Sequence, residues 1–102
     1  MAQIESVING SKNELANSNI FYAHDTPVMN DAYLASELLR THKEITIHGI
    51  DQLIPNAVSV ANILNEKIRQ GNCKIANVMV DSELDPQQGK MLSIITIRMT
   101  GN

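Results

Sequence analysis

The sequence predicts an α/β fold in which two helices cover one sheet, with elements in the order β-α-β-α-β-β. Two long segments carry apolar residues at helical spacing, and each follows a short β-branched or aromatic run. The C-terminal third reads as two strands separated by a turn with Pro86 and Gly89, which indicates a long β-hairpin. Because β-to-α-to-β passages place helices against a sheet, we expect a two-layer sandwich.

The first strand is predicted at residues 19–23 and the first helix at residues 27–42. Thr26 is the predicted N-cap, and Pro27 suits the first helical position because its missing N–H has no partner there. Basic residues in the last turn complement the helix dipole. The predicted apolar stripe consists of Val28, Ala32, Ala35 and Leu39, widened by Leu34 and Leu38.

The second strand is predicted at residues 44–50, where the sequence EITIHGI is β-branched and alternates. A second helix is predicted from Ile54 to Gln70, with Pro55 tolerated in its first turn and Gly71 ending it. The apolar stripe expected for this helix consists of Ile54, Val58, Ala61, Leu64 and Ile68.

The hairpin is predicted as a strand at 73–84, a turn at 85–90 and a return strand at 91–99. Both strands carry apolar residues on both faces, and one helical layer cannot cover all of them. A partner subunit is the expected cover, and a twofold homodimer is the commonest arrangement. Residues 1–18 are polar and are predicted to be an N-terminal tail, so the domain is expected to span residues 19–102.

Composition limits the function classes. The chain of 102 residues has 8 basic and 11 acidic side chains, a net charge of −3, which argues against phosphate binding as the dominant role. A single cysteine excludes an internal disulfide, and no apolar run reaches the ~20 residues of a membrane span. We therefore expect a cytoplasmic, nucleoid or nuclear protein with no cofactor and no small-molecule substrate.

Two segments, TPVMNDAYLASELL and EITIHGIDQLIPNAVSVANIL, resemble those of Alba-domain proteins, which typically read KKPVMNYVLA and EIVIKARGRAISKAVD. The matching residues are Pro27, Val28, Met29, Asn30, Glu44, Ile45, Ile47, Ile54, Ala57 and Val58. The resemblance covers about residues 19–100 and implies an Alba-like sandwich with a long hairpin. It also implies small, dimeric, non-enzymatic proteins that bind DNA or RNA in chromatin or ribonucleoproteins.

The resemblance implies three nucleic-acid contacts: the turn before the first helix, the start of the second helix and the hairpin tip. This chain departs from the family at those places. Asp25 and Thr26 replace paired lysines, residues 48–52 (HGIDQ) replace KARGR, and Asn56 replaces a lysine. On duplex DNA, each phosphate contact makes the slope of log K against log salt concentration more negative by about 0.9. The loss of these basic side chains therefore removes most of the electrostatic attraction.

The sequence therefore predicts an Alba-like dimer with weakened phosphate contacts, which favours RNA or a ribonucleoprotein over bulk duplex DNA. The residues expected to contact nucleic acid are Lys90, Thr26, Gln52, Asn56, His24 and His48. Histidine gains charge at mildly acidic pH, which would strengthen such contacts. The alternative is an interaction module that pairs with itself or with a more basic Alba-type subunit and binds no nucleic acid directly.

Two short sets, His24-Asp25 and His48-Gly-Ile-Asp51, also contain residue types found in metal or catalytic sites. Both histidines are near strand ends, which would allow them to approach one another. A metal site needs three or four converging ligands, so ordinary polar residues near a loop are the favoured interpretation. We expect no metal and no enzymatic activity.

Overall fold

The computed structural model describes residues 19–101. Its elements are strand β1 (Ile20–Tyr22), helix α1 (Val28–His42), strand β2 (Glu44–Ile50), a 3-10 turn (Asp51–Leu53), helix α2 (Ile54–Ile63), a π-helical turn (Leu64–Ile68), strand β3 (Cys73–Asp85) and strand β4 (Lys90–Gly101). The predicted α/β class and the order β-α-β-α-β-β are confirmed. The predicted tail, residues 1–18, lies outside the described residues, so the domain boundary stays a prediction.

The four strands form one sheet with the spatial order β1-β2-β4-β3. Strands β1 and β2 are parallel because α1 returns the chain between them, whereas β4 is antiparallel to both of its neighbours. The hairpin register runs from Cys73 opposite Gly101 to Asp85 opposite Lys90, with a bulge between Ile75 and Asn77. Strand β3 is consequently one edge of the sheet.

The core lies between the two helices and one face of the sheet. Side chains alternate between faces along a strand, so every second residue of β2 and β4 points toward the helices. The largest fully buried side chains come from both layers: Leu39, Ile45, Ile47, Val60, Leu64 and Met99. The core is therefore mainly aliphatic, with Phe21 as its one aromatic member among the described residues, as expected for a chain with three aromatic residues.

Helix α1 differs from the prediction in its N-cap and in one apolar position. The helix begins at Val28, so Pro27 is the N-cap, and the predicted cap Thr26 was wrong because its hydroxyl donates to Asp31 Oδ1. Leu34, predicted in the stripe, is 57% exposed. At about 100° per residue, Leu34 lies roughly 200° around the axis from buried Ala32 and faces away from the sheet.

Helix α2 also presents a different stripe from the predicted one. Val58 is exposed, whereas Ala57 and Val60 are buried together with the correctly predicted Ala61 and Leu64. The reason is close packing on Gly49, where an added Cβ would lie 2.7 Å from Ala57 Cβ. The α-helix also ends earlier than predicted, because the Arg69 N–H donates to Leu64 O at 2.8 Å in a π-helical turn.

Candidate nucleic-acid interface

The turn between β1 and α1 is organised by the carboxylate of Asp31, in the first turn of α1. Asp31 is 2% exposed, and its Oδ2 accepts a hydrogen bond from the His24 backbone N–H at 2.9 Å. Its Oδ1 accepts from the Thr26 hydroxyl at 3.2 Å and lies 3.4 Å from His24 Nδ1. An internal anion therefore sits beside the helix N-terminus, where the dipole favours negative charge.

The two helix starts meet at one end of the sheet. Asn56 Nδ2, in the first turn of α2, donates to the His24 backbone oxygen at 3.1 Å. Asp51 has a positive φ of 52°, and its Oδ1 accepts from the Ser93 N–H of β4 at 2.9 Å. Gln52 is exposed in the 3-10 turn. The structure thus brings together four of the predicted site residues or their turns: His24, Thr26, Gln52 and Asn56.

We name this end, residues 24–31 and 51–56, the helix-start end. Its charged side chains are three carboxylates, those of Asp25, Asp31 and Asp51. Neither lysine nor arginine occurs in residues 19–39 or 44–66. Backbone N–H groups at helix starts attract anions, but these carboxylates repel a phosphate that approaches them. The position at which the resemblance implies a phosphate-binding site is therefore acidic in this chain.

The two predicted histidines lie on opposite faces of the sheet and do not approach one another. The His24 ring packs edge-on against core residue Phe21, with ring centroids 5.7 Å apart. The His48 ring lies 5.4 Å from the Tyr22 ring on the face without helices. Within residues 19–101, no group of three or more His, Cys, Asp or Glu side chains is arranged to hold a metal ion.

Burial affects the charge of His48. Desolvation lowers the pKa of its imidazole from the ordinary value of 6.5, because burial penalises the charged form. Protonation of His48 consequently requires a more acidic pH than the sequence alone suggests. At neutral pH His48 presents an uncharged aromatic ring beside Tyr22.

Lys90 lies at the hairpin tip, far along the hairpin from its base at Cys73 and Gly101. It begins β4 directly opposite buried Asp85, whose Oδ1 accepts from the Gln87 N–H at 3.0 Å. Gly89 takes a positive φ of 66° and donates to Asp85 O at 2.7 Å, which closes the turn. Asp81 and Glu83 on the opposing strand are exposed, so this part of the hairpin is acidic apart from Lys90.

An apolar surface runs along edge strand β3 on the face that carries the helices. Residues directly opposite each other in an antiparallel pair share a face, and Val80 is opposite buried Ile95. Yet Val80 is 73% exposed, because the helices cover β2 and β4 but not β3. We name this surface the β3 strip; its members are Ile75, Val78, Val80 and Leu84 of β3 and Met91, which lies at the exposed tip end of β4.

Asp31, whose carboxylate organises the turn between β1 and α1, was not among the site residues predicted from the sequence. Asp31 stands where the family pattern PVMNY has tyrosine. An acidic residue in the first turn of a helix is typical of ordinary dipole compensation, so nothing in the sequence indicated a buried carboxylate.

Among the described residues, no helix is long and apolar enough to cross a membrane.

Comparisons with known proteins agree with the geometry. The profile of the Alba family matches residues 19–81, more than half of the chain. No curated protein sequence matches it. The solved structure of Alba from Thermoplasma volcanium is 26% identical, with a TM-score of 0.70 over 80% of this chain and 99% of that one. ALBA1 from Trypanosoma brucei is 19% identical, with a TM-score of 0.64 over 81% of this chain and 69% of that one, and supports the fold alone. The chain therefore belongs to the Alba family.

Proposed function

We propose that this protein is a nucleic-acid-associated Alba-type protein that acts as a dimer and carries out no catalysis. The observation that carries the proposal is an Alba domain in which both helix starts and the hairpin are retained. RNA or a ribonucleoprotein is the favoured partner, since bulk duplex DNA binding depends on many phosphate contacts and the chain has a net charge of −3.

The β3 strip supports dimerisation. Strand β3 is an edge strand of 13 residues, and its backbone edge and apolar side chains are both uncovered. An uncovered apolar edge of this length promotes aggregation unless another chain covers it. A second copy of the chain, or a more basic Alba-type subunit, would bury the strip and remove that liability.

The contacts proposed at the helix-start end are polar and few. Gln52 and Asn56 offer amide groups, and Thr26 and His24 are held by Asp31, so they adapt less readily to a ligand. His48 lies on the other face and would contact nucleic acid through its ring. Lys90 supplies the one cation of the hairpin tip. These residues together favour weak binding.

A second candidate is favoured by the acidic helix-start end. Asp31 lies beside the start of α1, Asp25 precedes that helix, and Asp51 precedes α2. Because these carboxylates disfavour phosphate at the helix starts, the protein would serve as an interaction module. In that role it would dimerise through the β3 strip, and a basic partner subunit would contact the nucleic acid.

Two measurements test the proposal. Fluorescence anisotropy with labelled single-stranded RNA and duplex DNA, at 50 and 200 mM salt, should give RNA binding that weakens with salt and decreases for Lys90→Ala. Absence of RNA binding at 50 mM salt, together with pairing to a basic Alba-type subunit, would support the second candidate instead.

Light scattering after size exclusion tests the dimer. Val80→Glu places a charge on the β3 strip and should give a monomer, because burying an unpaired carboxylate is costly. Met79→Glu is the matched control, since Met79 is also exposed but points to the opposite face of the same strand. A monomeric wild type would rule out the dimer, and equal effects of both variants would remove the β3 strip from the interface.

A further inference from the structure

The basic residues of the domain are concentrated at one end. Residues 19–101 contain seven lysines and arginines, and all but Lys90 lie where α1 and the π-helical turn end, β3 begins and β4 ends. We name this group the basic end: Arg40, Lys43, Lys67, Arg69, Lys74 and Arg98. It is opposite the helix-start end, because both helices run from one end of β2 back to the other.

The charge balance differs sharply between this end and the rest of the domain. The basic end contains three carboxylates, Glu37, Glu44 and Glu66, against six cations, a net charge of +3. The remaining described residues contain six carboxylates and one lysine, a net charge of −5. The net charge of the described residues is negative, but the basic end is a locally positive surface. Such local fields attract polyanions.

Four of the six cations keep their charge available. Arg40 is paired with Glu37 at 2.9 Å and Arg98 with Glu44 at 3.3 Å. Within residues 19–101, no carboxylate lies within 4.0 Å of Lys43, Lys67, Arg69 or Lys74. The three lysines are exposed. Their ammonium groups are consequently open to a ligand.

Three of these four cations, Lys43, Arg69 and Lys74, lie beside the last residues of β4. The Gly101 N–H donates to Lys43 O at 2.7 Å, and a Cβ at Gly101 would lie 3.6 Å from Arg69 Nη2. Cys73 is opposite Gly101 and Lys74 is opposite Thr100. The charge of Arg69 also reaches the Cys73 thiol, where it offsets part of the rise in pKa that burial causes. Backbone hydrogen bonds thus hold Lys43 and Lys74 beside the end of β4, and the Arg69 side chain reaches the same strand end.

We propose that the basic end, with Lys43, Lys67, Arg69 and Lys74 as its contacts, binds the phosphate backbone of a nucleic acid. This inference rests on the proposed nucleic-acid association and adds a second surface to it. In a single chain the surface is small, which suits single-stranded RNA better than a long duplex. Phosphate groups fit because lysine and arginine bind them without a preformed pocket.

The size of the expected effect follows from counterion release. On a single strand each contact contributes about 0.7 to the salt slope, so losing one at 50 mM salt weakens binding by about eightfold. Removing three lysines should make the slope less negative by about 2. Arg69 is left unchanged because it is half-buried and its Nε lacks a hydrogen-bond partner in the described structure, so its loss would also disturb packing.

The test measures RNA anisotropy from 50 to 200 mM salt for Lys43→Ala, Lys67→Ala, Lys74→Ala and the triple variant. Asn62→Asp is the matched control: it changes the net charge by the same amount as one lysine-to-alanine replacement, at an exposed position in the middle of the helical segment that α2 and the π-helical turn form together. Thermal melts confirm that each variant is folded. Each lysine variant should weaken binding by about eightfold, and Asn62→Asp should leave the slope unchanged.

The outcomes separate the two proposals. Wild type that fails to bind RNA at 50 mM salt overturns the proposed function, and this inference with it. If the wild type binds RNA, Lys90→Ala weakens that binding and the triple variant does not, only the inference about the basic end is overturned. An equal loss for Asn62→Asp would show that net charge alone matters, which also contradicts a local surface.

Discussion

Replacing Asp31 should cost more stability than any other single change at the helix-start end. The Asp31→Ala variant leaves the His24 N–H and the Thr26 hydroxyl without their acceptor. A hydrogen bond to a charged group contributes about 1.5–3 kcal/mol and a neutral one about 1 kcal/mol. Removing the buried carboxylate also removes its desolvation cost, which offsets part of this loss. We expect the free energy of unfolding to fall by about 2–3 kcal/mol.

Such a loss is large for a small domain, whose unfolding free energy is typically about 5–15 kcal/mol. Urea unfolding followed by far-ultraviolet circular dichroism measures it directly, as a lower midpoint with an unchanged slope. Asp25→Ala is the matched control, because Asp25 is exposed in the same turn and should change stability by less than about 0.5 kcal/mol. Equal stability of Asp31→Ala and Asp25→Ala would refute the role assigned to the buried carboxylate.

Three further predictions concern packing and titration. Gly49→Ala should lower the unfolding free energy by about 2–3 kcal/mol in urea melts, because its Cβ would lie 2.8 Å from Leu53 O; an unchanged midpoint would contradict the packing. Burial lowers the pKa of His48, so the unfolded chain protonates first and stability is lost as pH falls from 6.5 toward the lowered folded value. Urea midpoints from pH 7.5 to 5 should therefore decline less in His48→Gln, and parallel declines would exclude His48. Cys73 is buried with a raised pKa, so its thiol should react with a disulfide reagent far more slowly in buffer than in urea; equal rates would show that it is exposed.

Patterns with a strong local cause were predictable from the sequence. Residues 44–50 alternate in hydrophobicity, and the observed strand β2 has the predicted bounds. The hairpin was within three residues of prediction at each strand end, because Pro86 and Gly89 specify the turn. The Alba-type order of elements followed from these signals and from the resemblance of two segments, and the family match agrees with it.

Features that depend on tertiary packing were not predictable. Which face of α2 is buried depends on the close approach of Ala57 to Gly49, and both possible stripes of this helix contain enough apolar residues. The π-helical turn is accompanied by a tertiary contact at its first residue, where Cys73 Sγ lies 3.8 Å from Leu64 O. The sequence predicted uncovered apolar residues on the hairpin but did not show that Val80 is one of them. Its exposure depends on how far the helices extend across the sheet.

The charged side chains of the described residues are unevenly distributed between the two ends of the domain. The scaffold retains the helix starts that the family resemblance associates with phosphate binding, but three carboxylates stand there. The cations lie at the other end, next to the last residues of β4. On physical grounds a phosphate backbone is attracted to the basic end and repelled from the helix-start end.

Chemical-shift mapping with single-stranded RNA tests this asymmetry most directly. An isotope-labelled wild-type chain is titrated with a short RNA at low salt, and backbone amide shifts are followed residue by residue. The largest changes are expected at residues 40–43 and 67–74, with smaller ones near Lys90 and at the helix-start end. Changes confined to residues 24–31 and 51–56 would place the phosphate contacts at the acidic end and contradict the account.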